Sequence, residues 1–313
     1  MDIQYLKNEE INFVKWDNCI NNAHNGNIYA FSWYLDIVCD YWDAIVKDDY
    51  SAVMPVLHKK KGQFHFTYNT IFSPQLGVFS TEIIKEEAVN AFLVKLSSVY
   101  NVFSINLNKF NKVKESLFTQ KPRVTYEFDL IESYDKIRER YYDDIKSSIN
   151  RANDNKISII KNISPNKFLS LVARRDVLTS CRVKKRDINK LRRIIAFVYQ
   201  HGIGEIYVAY TSYNELCAAC LFLKSNRKSN LLFSAITLEG MQMYAMHYLI
   251  DYYVKKHAGQ NLTFNFENLN IPNKEMFCKG FGAGAYFYMN VSDDKLFLPQ
   301  KFLFRLLKST EWF

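Results

Sequence analysis

The sequence predicts an α/β protein with a mixed sheet (an α+β arrangement) that is divided into two domains. Its 313 residues exceed what one ordinary hydrophobic core supports, and 48% of them are apolar, which is enough for two cores. Each half of the chain also has the same order of patterns: helices, an antiparallel run of strands, a helix and a further strand. We therefore predict two copies of one architecture.

In the first half, apolar residues at helical spacing predict a helix over residues 28–41. Alternating apolar patterns then predict three successive strands, at residues 42–47, 50–58 and 63–71. After the Pro- and Gly-containing segment 72–79, the pattern is that of an amphipathic helix over residues 81–99, with Thr81 as its N-cap. A strand at 102–107 completes this half.

In the second half, a strand is predicted at residues 124–130 and a long charged helix at 133–154. Shorter elements follow, in the order strand, helix, helix and three strands, at residues 156–161, 164 onward, 188–200, 205–211, 216–223 and 230–236. The helix before these three strands ends at Gly202, a typical C-cap residue. The stretch 231–289 then has the order β-α-β-α-β.

Pro122 marks the predicted boundary between the domains. It gives an N-terminal domain of residues 1–121, a C-terminal domain of residues 122–295 and a basic, apolar tail of residues 296–313. The tail is expected to dock as a helix whose apolar side carries Phe302, Leu303, Leu306 and Leu307. Either domain could receive it.

The charge balance favours an anionic partner. The formal net charge is +9, which suits RNA, phosphorylated small molecules, CoA or an acidic membrane surface, although solubility alone also explains it. The N-terminus has no signal-peptide pattern, and no run of 18 apolar residues would span a membrane. Six scattered cysteines are typical of reduced thiols, so we expect a cytoplasmic protein without a metal site.

One basic segment, residues 174–193, concentrates this charge. It has nine Lys or Arg residues and only two Asp residues, and its first candidates for binding an anion are Arg174, Arg175, Lys184 and Lys185. Such clusters neutralise the phosphates of tRNA or of a pyrophosphate. A solvated helix face is the alternative interpretation, and no stacking aromatics of an RNA-binding motif are interleaved with the basic residues.

Two stretches resemble known families. The run Ile-Lys-Ser-Ser-Ile-Asn-Arg-Ala at 145–152, followed by an apolar strand at 157–160, is similar to Fem-type peptidyltransferases. The run Phe-Asn-Phe-Glu at 264–267, followed by Phe-Cys-Lys-Gly-Phe-Gly-Ala at 277–283, resembles the same group and the closing helix of GNAT-fold N-acyltransferases. This resemblance implies two tandem GNAT-like domains and transfer of an acyl or aminoacyl group to an amine.

The resemblance also implies where a donor would bind. GNAT enzymes hold the CoA pyrophosphate on a glycine-rich turn at a helix N-terminus, so the corresponding residues are Thr237, Gly240 and Gln242. Only one glycine is present there, and Glu239 adds negative charge, which argues against the usual CoA grip. We expect no tightly bound cofactor, with acyl-CoA or aminoacyl-tRNA as a co-substrate.

The candidate catalytic residues come from two places, the end of the predicted strand at 264–268 and the aromatic stretch at 284–289. Glu267 is the candidate general base for an attacking amine, and Tyr286 the candidate acid for the leaving group. Asn265, Asn268 and Gln75 are candidates for binding the substrate. For Glu267 the alternative is that it caps the helix that follows Pro272 or pairs with a nearby basic residue.

Other patterns indicate packing. Cys217 and Cys220 have CxxC spacing, but they lie on a strand, where residues three apart face opposite sides. His247 and Asp251 share one helix face and are interpreted as a polar stripe.

The leading hypothesis is therefore a Fem-like or GNAT-like acyl- or aminoacyl-transferase acting on an amine. The alternative is a non-catalytic tandem GNAT-fold module that binds an anionic ligand or a protein partner. The sequence leaves open the oligomeric state and the identity of donor and acceptor.

Overall fold

The computed structural model describes residues 2–174, 176–178, 184–267 and 269–309, and it omits the side chains of Lys185, Arg186 and residues 305–309. The chain divides into two compact units. Unit 1 comprises Met1–Val124 and Phe287–Phe313, and unit 2 comprises Thr125–Tyr286. Residues 287–295, which the sequence analysis grouped with the C-terminal domain, thus cluster with the N-terminal unit.

The elements of unit 1 follow the predicted order. Its helices are α1 (Phe13–Asn22), α2 (Ser32–Val38), α3 (Glu86–Val99) and, at the end of the chain, α11 (Leu298–Ser309). Its strands are β1 (Ile3–Leu6), β2 (Trp42–Lys47), β3 (Ala52–Lys61), β4 (Phe64–Thr67), β5 (Phe79–Ser80), β6 (Val102–Asn106) and the larger part of β13 (Gly284–Asp294).

The sheet of unit 1 has the strand order β1-β2-β3-β4-β6-β13, with β5 beside β3. All neighbours are antiparallel except β4 and β6, which are parallel and joined through the crossover helix α3. The strand β3 changes partner along its length, since Ala52 to Leu57 pair with β2 and His58 to Lys61 pair with β4.

The predicted start of α3 in unit 1 was wrong. The helix α3 begins at Glu86 rather than at Thr81, because the Thr81 side chain instead bonds the carbonyl oxygen of Ser51. The tail helix α11 docks through Phe304, whose ring packs on Phe64 and Phe66, whereas Phe302 is 68% exposed. Leu303, from the same expected side, is 43% exposed, and the side chains of Leu306 and Leu307 lie outside the described residues.

Unit 2 begins with the last part of β7 (Thr119–Asp129). Its helices are α4 (Tyr134–Glu139), α5 (Asp143–Asp154), α6 (Pro165–Val172), α7 (Lys185–His201), α8 (Leu238–Gln242), α9 (Ala245–His257) and α10 (Lys274–Gly280). Its further strands are β8 (Ser158–Lys161), β9 (Gly204–Tyr210), β10 (Leu216–Ser225), β11 (Lys228–Ile236) and β12 (Thr263–Asn265).

The sheet of unit 2 has the order β8-β9-β10-β11-β12-β7. It repeats the pattern of unit 1: an antiparallel meander, one parallel pair (β11 and β12) and a final antiparallel strand. Helices α5, α9 and α10 bury one apolar cluster against this sheet, which includes Ile145, Leu249 and Phe281. This repetition confirms the predicted α/β class with duplicated architecture.

The single helix predicted at residues 133–154 is two helices, α4 and α5. The backbone N–H of Tyr142 donates to the carbonyl oxygen of Gly280 at 2.8 Å instead of to a residue one helical turn earlier. Gly280 permits this approach, because a Cβ atom there would lie 2.5 Å from Ile145 Cγ1. The contact with α10 therefore divides the predicted helix before Tyr142. The local pattern of apolar residues does not predict this break, because Gly280 is distant in sequence.

The glycine predicted as a C-cap has that role. Gly202 ends α7 in the left-handed conformation, with φ of 65°, and Pro165 opens α6 at its first turn after the Ser164 cap. Among the described residues, no helix combines the length and apolar character needed to cross a lipid bilayer.

Candidate functional site

The strands β11 and β12 part soon after they begin to pair. Their parallel register covers three pairs, from Lys228 opposite Thr263 to Asn230 opposite Asn265. Beyond this point β11 continues to Ile236, whereas the chain after β12 turns away, with the N–H of Leu269 donating to Phe266 O. The two carboxyl ends therefore leave a gap at the edge where ligands enter open α/β sheets.

A cavity of about 260 Å³ lies between the end of β11 and the segment that follows β12. Most of its lining is apolar, and it is supplied by β11, α5, α8, α9 and the start of α10: Ile145, Ile236, Met241, Met246, Ile271, Pro272, Met276 and Phe277, with Asp144, Tyr244, His247 and Asn273 as the more polar members. Three methionines give the walls adaptable, polarizable surface. The site is suited to a compact apolar group with one polar atom.

His247 supplies that polar contact. Its Nδ1 atom is buried and has no hydrogen-bond partner among the described residues. Its ring packs against Phe277, with 4.7 Å between the ring centroids, and burial lowers the pKa of His247 to about 4, although Asp144 acts in the opposite direction. A neutral imidazole in this wall can give or accept one hydrogen bond with a bound molecule.

Tyr244 lies between the helices α8 and α9. It has a φ of 58°, in the left-handed region, so the chain changes direction there and α9 starts with the Tyr244 residue as its N-cap. The Tyr244 hydroxyl accepts a hydrogen bond from Arg151 Nη1 at 3.0 Å. This places one guanidinium next to the cavity wall that Tyr244 forms.

The residues predicted to grip a pyrophosphate have other contacts. Thr237 Oγ1 accepts the N–H of Gly240 at 3.0 Å, so the side chain of Thr237 caps α8. A Cβ atom at Gly240 would lie 2.6 Å from the carbonyl oxygen of Cys217, so this glycine allows α8 to pack on β10. Gln242 is exposed at the end of this short helix. The helix start thus has its first turn capped from within.

A chain of buried polar groups crosses from β7 to β12. Thr125 Oγ1 donates to Asn265 Oδ1 at 2.8 Å, and Asn265 Nδ2 donates to Glu127 Oε1 at 3.0 Å. All three side chains are buried, so each of these bonds compensates a desolvated group. Asn265 is therefore held in one orientation where β12 ends.

Glu267 lies in the turn after β12 and is 7% exposed. Its carbonyl oxygen accepts a hydrogen bond from Lys274 Nζ at 2.5 Å. Burial lowers the pKa of Lys274, and the nearby Cys278 and Glu267 act against this. Tyr286, in β13, is 44% exposed. In the part of the chain that the structure describes, neither Glu267 nor Tyr286 lines the cavity.

The remaining predicted binding residues are dispersed. Arg174, after α6, forms an ion pair with Asp176 at 3.4 Å, and Lys184 is the N-cap of α7. Arg175 and Asn268 lie outside the described residues, as does the side chain of Lys185. Gln75 belongs to unit 1, where it is buried and its Oε1 accepts the N–H of Lys109 at 3.3 Å.

Three cavity residues were not predicted from the sequence: His247, Tyr244 and Asp144. His247 and Asp251 were interpreted as a polar stripe, and the Asp251 carboxylate indeed accepts a hydrogen bond from the Tyr134 hydroxyl. One signal was available: His247 is a polar residue in a helix whose buried residues are mostly apolar. Cys217 and Cys220 are buried core residues, as expected, and among the described residues no cluster of His, Cys, Asp and Glu could hold a metal ion.

No protein-family model matches the sequence, and neither does any curated protein. Solved structures do match its fold. The structure of FemX covers 93% of this chain and 97% of its own, with a TM-score of 0.60 and 13% identity. L-PGS from Bacillus licheniformis gives a TM-score of 0.54, 11% identity and coverages of 93% and 94%.

A conserved protein of unknown function from Bacteroides thetaiotaomicron is similar at a TM-score of 0.54, with 13% identity and coverages of 93% and 99%. At these identities the likeness concerns architecture. It extends over nearly the whole chain, which agrees with the duplicated sheets described above. The chain therefore has the fold of FemX and L-PGS, which agrees with the Fem-type, GNAT-like fold that the sequence resemblance implied.

Proposed function

We propose that the chain transfers an acyl or aminoacyl group to an amine, and that the cavity of unit 2 receives the acyl part of the donor. The observation that carries this proposal is the parting of β11 and β12 after Asn230 and Asn265, beside a cavity of about 260 Å³. Apolar walls bind such a group by the area they remove from water, and the His247 imidazole offers it one polar partner.

The chemistry requires an amine to lose a proton while it attacks a carbonyl carbon. The N–C bond forms, the bond to the donor's oxygen or sulfur breaks, and the leaving group takes up a proton. We assign the first proton to Glu267, directly or through one water molecule, and the second to Tyr286. Asn265, fixed by Thr125 and Glu127, is the group we expect to orient the acceptor.

Aminoacyl-tRNA is the donor that these contacts favour over acyl-CoA. Thr237 Oγ1 already accepts the N–H of Gly240 in the first turn of α8, and Glu239 adds a carboxylate there, so a pyrophosphate meets one N–H group fewer and an unfavourable charge at that helix. The net charge of +9 and the segment 174–193 favour an extended polyanion instead. The aminoacyl group would also supply an N–H partner for His247.

The capped start of α8 also favours a second candidate, a non-catalytic module that binds an anionic ligand or a protein partner. In a protein that no longer binds a donor, we expect the start of this helix to be capped by the chain's own side chains, as it is here. The two candidates differ in whether a covalent product forms.

The test is a transfer assay on the full chain. The protein is incubated with radiolabelled aminoacyl-tRNA or with acyl-CoA thioesters, together with a panel of small primary amines, and labelled amide is measured. Transfer from aminoacyl-tRNA is expected, and Glu267→Gln should reduce it by about a hundredfold or more, the usual contribution of a general base. Glu215→Gln, at an exposed carboxylate, is the matched control.

Different results would redirect the proposal. Transfer that survives in Glu267→Gln removes Glu267 from the mechanism. Transfer from acyl-CoA alone reverses the choice of donor. Salt-sensitive binding of tRNA without any amide product identifies the chain as the non-catalytic module.

A further inference from the structure

Unit 1 contains a second polar site that lies outside the function proposed above. Three neighbouring strands bring Asp43 (β2), His58 (β3) and His65 (β4) into one hydrogen-bonded row. His58 Nε2 lies 3.0 Å from Asp43 Oδ2, and His65 Nε2 lies 2.9 Å from His58 Nδ1. The row lines a cavity of about 530 Å³, formed by β2, β3, β4 and the segments before α1 and after α2.

When both rings are neutral, the hydrogen bonds fix their tautomers. Asp43 already accepts bonds from the Tyr5 hydroxyl at 2.5 Å and the N–H of Asn8 at 2.9 Å. Burial raises the pKa of Asp43, but the bonds from His58 and Tyr5 outweigh it and hold the pKa below its ordinary value. A carboxylate only accepts, so neutral His58 must have its proton on Nε2.

It follows that His58 Nδ1 is an acceptor, and that His65 donates to it from Nε2. Neutral His65 then has its lone pair on Nδ1, which has no hydrogen-bond partner among the described residues. Burial lowers the pKa of His65; His58 and Lys60 add to this effect and Asp43 opposes it. The ring at the open end of the row therefore stays neutral near pH 7 and offers an acceptor.

The residues that line the cavity with His65 Nδ1 have a net negative charge, which favours binding of a cation. Four carboxylates and one lysine line the cavity: Glu9, Asp36, Asp40, Asp43 and Lys7. Lys59 pairs with Asp40 at 3.8 Å, which leaves an excess of negative charge in a chain whose net charge is +9. The Tyr41 ring, 66% exposed, stacks with His58 and is available for a cation–π contact.

We propose that this cavity binds a primary ammonium group, which donates a hydrogen bond to Nδ1 of His65. The carboxylates compensate the charge, and Tyr41 contacts the adjoining carbon atoms. Asp43 and His58 act as positioning residues, because they hold the His65 ring in the tautomer that accepts. The proposal does not depend on transfer chemistry in unit 2.

The experiment measures binding of n-butylammonium to the full chain by calorimetry, with n-butanol as the neutral isostere. Saturable binding of the ammonium that weakens in high salt is expected, and butanol should bind at least about tenfold more weakly. His65→Gln should weaken ammonium binding by roughly tenfold, the effect of losing one hydrogen bond to a charged group. His24→Gln, at an exposed histidine of the same unit, should not.

A spectroscopic measurement keeps the tautomer argument separate from affinity. Nitrogen NMR of the histidine rings should show both His58 and His65 protonated on Nε2 in the free protein. A proton on Nδ1 of His65, equal binding of butanol, or unchanged ammonium affinity in His65→Gln would overturn the proposal. Aminoacyl transfer in the assay above is unaffected by any of these outcomes.

Discussion

The two units have the same strand order but treat the parting of their parallel strands differently. In unit 2, β11 and β12 separate beside a cavity of about 260 Å³. In unit 1, β4 and β6 form a single backbone pair, Phe66 opposite Val102, and the parting encloses about 10 Å³. One copy is open at this position and the other is closed.

Side chains close the parting in unit 1. Thr67 Oγ1 accepts the N–H of Ser104 at 2.8 Å, and Asn69 Oδ1 accepts the N–H of Asn106 at 2.9 Å. The chain then returns, and Leu76 N donates to Asn106 O at 3.0 Å. These bonds replace the backbone pairing that β4 and β6 lack beyond Phe66 and Val102, so these backbone groups of β6 have hydrogen-bond partners without a ligand. Among the described residues, the gap at this position is thus open in unit 2 and closed in unit 1.

The largest expected effect comes from closing the gap of unit 2 as well. Met276 lines the cavity from α10 and is 68% exposed, so Met276→Trp should fill the space without disturbing the core. We expect a loss of transfer of more than about a hundredfold, because a displaced donor no longer meets the attacking amine. The measurement is the labelled-amide assay, with Ile71→Trp, an exposed site in unit 1, as the matched variant. Full activity in Met276→Trp would show that the cavity holds no part of the donor.

The second expected effect is a dependence of the free energy of unfolding on pH, caused by His247 in unit 2. His247 has a pKa of about 4 in the folded chain against 6.5 ordinarily, so the unfolded chain binds more protons between these values. The contribution of His247 to the free energy of unfolding should therefore be fully present above pH 6.5, decrease as the pH falls from 6.5 to 4, and be lost below pH 4. The loss should be about 2 kcal/mol once partial exposure of the ring is allowed for.

Urea unfolding at several pH values measures this dependence. In His247→Leu the decrease should be smaller by that amount, whereas His201→Gln, at an exposed ring, should behave as the wild type. An unchanged slope in His247→Leu would mean that this imidazole is solvated.

The smallest expected effect tests the closure in unit 1. Asn69→Ala removes the acceptor for Asn106 N–H and should lower the free energy of unfolding by about 1 kcal/mol. Asn69→Asp keeps an oxygen at that position and should retain most of the stability. Equal stability of all three proteins would show that water replaces Asn69, and that the closure does not depend on it.

Elements defined by local pattern were predicted well. The meander β9 to β11 and the Gly202 cap follow from residues close in sequence, and the helix predicted at residues 81–99 is present from Glu86 onward although its predicted start was wrong. Features set by distant contacts were not. The break before Tyr142 depends on Gly280, and the docking of α11 depends on where Phe64 and Phe66 lie.

The candidate site likewise has features that local sequence predicted and features that depend on contacts between distant residues. The sequence indicated the region, through the β-α-β order and the single glycine at Gly240. It did not indicate that Thr237 and Gly240 are occupied by capping and packing, because the contact with Cys217 joins residues in different elements. His247 was visible as a polar residue in an apolar helix, but the empty space beside it has no sequence pattern.

The strand β13 has a consequence for the synthesis of this protein. It completes the sheet of unit 1 beside β6, and the Ser104–Asn290 bond joins residues 186 positions apart. On the ribosome, unit 2 is finished while β6 still lacks that neighbour, and its edge stays available for wrong pairing. We therefore expect the C-terminal half to fold first, the reverse of the usual N-terminal order, and nascent chains truncated before Asn290 to be the species that need chaperones.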